Sequence, residues 1–123
     1  MSKYLFIISE LPFTNHATEE TLELAIGFAT VNSDINVLFL DAACLQLKDN
    51  LSPNLTGFSQ KSIGIIDSLS SYNINCIYIM QEDLDRFKLN ISDLRIKHAV
   101  ISKSKLNALY VEHDIILHSS ARK

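Results

Sequence analysis

Tyr4-Leu5-Phe6-Ile7-Ile8-Ser9 is an unbroken apolar run of strand-forming side chains, and its reading decides the fold. A strand with one wet face alternates apolar and polar residues. A run without alternation reads as a strand covered on both faces, the pattern of a parallel sheet. Downstream, Glu10 to Ala17 contains Pro12 and Asn15 and reads as a loop. Thr18 with Thr21 opens a helix, and Glu19 and Glu20 suit its positive end. Leu22, Ala25, Ile26 and Ala29 recur at helical spacing and mark its buried face. Asn32-Ser33-Asp34 ends that helix, and Asn36-Val37-Leu38-Phe39-Leu40 is a second buried strand.

The same alternation continues to the end of the chain. Asp41 to Leu47 reads as a short helix, and Lys48 to Thr56 as a loop through Asn50, Pro53 and Asn54. Thr56 or Ser59 then caps a helix with Ile63, Ile66 and Leu69 on its apolar face. Cys76 to Met80 is a third strand, Glu82 to Phe87 a short helix, and His98 to Ile101 a fourth strand. Lys103 to Tyr110 is helical, and Asp114 to Leu117 is the fifth strand. Strand–helix alternation of this kind predicts an α/β protein: a single three-layer α/β/α domain over residues 1–118 with a mostly parallel five-stranded sheet. The polar residues 119–123 read as a frayed tail. Strand order is not encoded in such a pattern.

Composition excludes several classes. At 123 residues, 47% hydrophobic and 20% charged, the chain has material for one core and the wrong balance for disorder. No apolar run approaches the ~20 residues of a membrane span. Ser9, Glu10 and Pro12 interrupt any signal-peptide core, so a cytoplasmic protein with reduced Cys44 and Cys76 is expected. A net charge of −3, with lysines and arginines scattered from Lys48 to Lys105, gives no patch for a phosphate backbone. No direct nucleic-acid binding and no membrane association are expected.

The usual chemical signatures are also missing. The three glycines, Gly27, Gly57 and Gly64, cannot build a dinucleotide or phosphate loop after the first strand. His16, His98, His113 and His118 show no ligand spacing, and neither cysteine has a CxxC partner, so no metal or cofactor is expected. Isolated histidines at strand ends read as solvated side chains. Glu82, Asp83 and Asp85 read as an exposed first turn that favours the helix dipole. No nucleophile–base pair is identifiable from spacing. Cys44 is the one thiol candidate: it starts a short helix after a strand, where a helix N-terminus lowers a thiol pKa. Its neighbours Ala42, Ala43 and Leu45 favour a packing role instead. Cys76, at the opposite end of its strand from the usual functional edge, is a weaker candidate.

Several segments resemble, in order and spelling, the TusC/DsrF family of the DsrE-like superfamily. They are the apolar strand closing on Ser9, the stretch Asn36 to Leu47 with its small-residue turn and Gln46-Leu47, and Leu69-Ser70-Ser71-Tyr72-Asn73-Ile74. Leu84 and the ending His113-Asp114-Ile115-Ile116-Leu117 complete the match. The resemblance implies a non-catalytic subunit of a heteromeric sulfur-relay complex, with TusB/DsrH-like and TusD/DsrE-like partners. Such complexes serve 2-thiolation of the tRNA wobble uridine or, in the DsrF type, sulfur oxidation. In the family, the persulfide-carrying cysteine of the catalytic D/E-type chain lies at the end of the third strand. Ile79-Met80 fills that place here, and neither side chain forms a persulfide. Asn73 in place of the family's Asp, and Cys44 in place of a plain hydrophobe, are departures.

Two other readings compete: a stand-alone DsrE-like sulfur carrier using Cys44, and an unrelated small-molecule-binding α/β domain. Phe13, Phe58, Phe87 and Tyr110, at loops and helix ends, are candidate interface anchors if a partner covers them.

Overall fold

The computed structural model describes residues 3–9, 17–31, 34–47, 69, 72, 74–94 and 98–118. Five strands, β1 (Tyr4–Ile8), β2 (Ile35–Phe39), β3 (Ile74–Met80), β4 (Ala99–Ile101) and β5 (Ile115–His118), form one sheet. All pairings are parallel and the order is β4-β3-β2-β1-β5. Helices α1 (Ala17–Ala29), α2 (Gln81–Arg86) and α3 (Leu106–Val111) connect them, with 3-10 turns at Asp41–Leu47, Ile91–Asp93 and Lys103–Lys105. The α/β class and the five-stranded parallel sheet are as the sequence predicts; the third strand starts two residues earlier. The helix expected to bury Ile63, Ile66 and Leu69 lies outside the described residues, apart from Leu69 itself, which is buried.

The strand order places the helices. From β1 to β4 the chain advances in one direction across the sheet, so right-handed crossovers put those connections on one face. The return from β4 to β5 reverses direction and puts α3 on the other. The two core clusters follow this division. On the α1 face, Phe6, Ile8, Ile35, Val37, Phe39, Ile77 and Ile79 pack with Leu22, Ala25 and Ala29 of α1 and with Leu69, Leu84 and Leu89. Phe28 meets Tyr4 and Phe6 edge-on, at ring-centroid separations of 5.2 and 5.7 Å. On the α3 face, Leu5, Ile7, Leu38 and Met80 pack with Leu109, and half-buried Leu106 and Tyr110 join them.

One irregularity shapes the N-terminal end of the sheet. Ile35 pairs with Ile74 but Asn36 pairs with Cys76, so Asn75 is an extra residue in β3. Its amide reaches back to Asp34 Oδ1 and Asn36 Oδ1, both at 3.3 Å.

Candidate functional site

The carboxyl ends of β2 and β3 are where open α/β sheets place their chemistry. The chain leaves β2 through Asp41, which adopts a left-handed backbone with φ of 54°. Aspartate tolerates this region better than most residues. The turn aims the Asp41 N–H at Asp83 Oδ2, 2.7 Å away on α2. Arg86, one turn further along α2, donates to Asp83 Oδ1 at 3.0 Å and to Asp41 Oδ1 at 3.2 Å. Its guanidinium also lies over the Phe87 ring, 4.7 Å from the centroid. This cluster clamps the first turn after β2 to the helix after β3.

Asp83 therefore departs from the expected exposed first turn. It is buried, and burial raises its carboxyl pKa above the usual range. The backbone hydrogen bond from Asp41 and the Arg86 charge oppose that rise, while the Asp41 carboxylate adds to it. Glu82 and Asp85 stay exposed, and both have partners: Glu82 accepts the Lys103 N–H at 3.0 Å, and Asp85 accepts from Gln81 Nε2 at 3.0 Å.

Cys44 lies behind this clamp, in the middle of the 3-10 turn and fully buried in the α1-face core. Its thiol pKa is pushed up to about 12, first by burial and then by the Asp83 charge, with Arg86 pulling the other way. Burial acts against the activation that a helix N-terminus would give. The turn is too short and tight to act as a helix end, and desolvation dominates. At the end of β3, Ile79 is fully buried and Met80 nearly so, which leaves no thiol there. Cys76 points to the α3 face opposite Asn36 and is half-buried. It hydrogen-bonds Tyr78, whose hydroxyl pKa is pushed to about 12 by burial and then by this bond.

His113 differs from the solvated reading, while His118 is exposed but has a partner. His113 is buried between α3 and the sheet. Its Nδ1 bonds the Leu109 carbonyl at 2.7 Å and its Nε2 lies 3.1 Å from Asn36 Nδ2. With Nδ1 donating to the carbonyl, Nε2 accepts from the amide, and both ring nitrogens are satisfied. His118, the last residue of β5, meets Ser9. Spacing alone could not pair residues 109 positions apart; the β1–β5 register does so, because Ile7 pairs with His118. His16 lies outside the described residues.

Among the described residues, no group of three or more His, Cys, Asp or Glu is placed to hold a metal ion. None of the described helices is long and apolar enough to cross a membrane. Of the expected anchors, Phe87 and Tyr110 are half-buried against the two cores, and Phe13 and Phe58 lie outside the described residues. Among the described residues, the exposed large apolar side chains are Leu24, Val31, Tyr72, Ile91, Val111, Ile115 and Ile116.

Among solved structures, the chain is similar to the YchN protein of E. coli. The TM-score is 0.79 at 15% identity, over 96% of this chain and 99% of that one. The fold is DsrE-like. No family model matches the sequence, and no curated protein matches it either. At this identity the likeness concerns the DsrE-like fold alone.

Proposed function

We propose that this chain is a TusC/DsrF-like, non-catalytic subunit of a heteromeric sulfur-relay complex that supports 2-thiolation of the tRNA wobble uridine. The observation that carries this reading is the carboxyl end of β3. There a DsrE-like fold presents buried Ile79 and Met80, neither of which accepts sulfane sulfur. The nearest thiol behind that edge, Cys44, is buried and held protonated, which weighs against a carrier built on it. A chain of this fold without its own thiol chemistry acts through siblings that have it. TusB/DsrH-like and TusD/DsrE-like chains are the proposed partners, and the tRNA contact belongs to the assembled complex. A DsrF-type role in sulfur oxidation uses the same subunit architecture, and assaying wobble-uridine thiolation separates the two.

The test is assembly. Light scattering on the chain alone, then mixed with its TusB-like and TusD-like neighbours, should give one species heavier than any component. A chain that elutes at its own mass in both runs contradicts the proposal.

A further inference from the structure

Beyond the relay role, one juxtaposition lies apart from the β2–β3 edge. Ser9, the first residue after β1, has its Oγ 2.7 Å from His118 Nε2, on the last residue of β5. Both residues sit at the carboxyl ends of neighbouring strands. β1 and β5 are adjacent in the sheet, so these two carboxyl ends lie side by side. Ligands of open parallel sheets bind outside the carboxyl ends of the strands. Two further features make the pair fit for chemistry. His118 is exposed and Ser9 half-buried, so solutes reach them. The β1–β5 register fixes their backbones, because β1 is buried and Ile7 pairs directly with His118.

We infer that Ser9 and His118 form a nucleophile–base pair that takes a small activated acyl compound, an ester or thioester. With Nε2 unprotonated, the Ser9 hydroxyl donates to it, the arrangement that activates a serine. In the step, Ser9 Oγ bonds to the acyl carbon and its proton passes to His118 Nε2. The bond from the acyl carbon to the alkoxide or thiolate breaks, and His118 returns the proton to that leaving group. Water then attacks the acyl-serine with His118 as base, which releases the carboxylic acid and restores Ser9. Among the described residues, no carboxylate holds the other ring nitrogen of His118. Loss of that orienting carboxylate costs a serine–histidine pair about 10⁴-fold in turnover. The pair is therefore read by stoichiometric acylation rather than by multiple turnover.

The experiment treats the full chain with an alkyl fluorophosphonate and with p-nitrophenyl acetate, then maps the adduct by peptide mass. The fluorophosphonate replaces its P–F bond with a Ser9 O–P bond and releases fluoride. Expected results are an adduct at Ser9, none in Ser9→Ala, and labelling slowed at least ~10²-fold in His118→Ala, the usual worth of a general base. Added imidazole should restore part of the rate in His118→Ala. Ser102→Ala, on the same edge, should label like the parent. An unlabelled Ser9 in folded protein overturns the inference. So does equal labelling of Ser9 in the parent and in His118→Ala, which would mark the hydrogen bond as a clasp for β5 only.

Discussion

The two faces of the sheet do unequal work. The α1 face holds most of the buried apolar side chains, closed by α1, the turn after β2 and Leu84 of α2. The α3 face has a small apolar cluster under a six-residue helix, and its lower end is polar: Asn36, Asn75, Asp34 and His113 bond one another there. Each face also holds one cysteine, and the faces explain why the two differ. Cys44 is sealed into the thick face and kept protonated; Cys76 lies half-buried on the thin one. Most of the buried apolar packing lies on the first face, while half-buried Cys76 and exposed Ile116 lie on the second.

The sharpest way to break this comparison is to truncate one core residue on each face. Phe6→Ala should cost about 3–5 kcal/mol, because a fully buried ring and its edge contact with Phe28 are lost. Leu109→Ala should cost about 2 kcal/mol, the low end for leucine, since the thin cover over it relaxes into the space. Urea unfolding measures both. Equal costs would mean that α3 contributes as much to the fold as the thick face does.

The cysteines sharpen the comparison next. A thiol raised from 9.0 to about 12 has its thiolate population cut on the order of 10³-fold at pH 8, before burial is counted. A disulfide reagent added to native protein should therefore modify Cys76 and leave Cys44 intact, and both should react in denaturant. Rapid modification of Cys44 in the native state would place it outside the core.

The smallest expected effect concerns Asp83. Its folded pKa is raised, so the folded state holds a proton that the unfolded state has already released. Stability from this group is then lost as pH rises from the ordinary aspartate value through the raised one. Asp83→Asn should lack that fall, so its stability relative to the parent should improve between pH 4 and pH 7. Paired urea titrations at the two pH values read the difference. A shift in the opposite direction would show that the ionised bonds to Asp41 and Arg86 outweigh burial.

The strands were legible because burial on both faces leaves a plain mark: Tyr4 to Ile8 and Ile35 to Phe39 have almost no polar interruptions. The sheet's order was not legible, since apolar runs say that a strand is covered and nothing about its neighbour. The site was misread for a related reason. Asp83 looks solvated beside Glu82 and Asp85, and only the left-handed turn at Asp41 and the reach of Arg86 show why it is buried. His113 looks like a strand-end histidine until Asn36, 77 residues away, supplies its partner. One sign was available: Asn36 is a polar residue at the head of a buried apolar run, and such a residue needs a partner.

In the proposed role the chain supports sulfur transfer without carrying sulfur. Its most direct test is wobble-uridine 2-thiolation with the parent chain replaced by the Cys44→Ala, Cys76→Ala double variant. The variant must first be shown to be folded and assembled by the light-scattering measurement. Thiolation within about twofold of the parent is the predicted result, since a change below ~0.5 kcal/mol is what loss of non-reacting thiols should give. Near-complete loss of thiolation in the assembled complex would contradict the account and make one of the two cysteines a carrier.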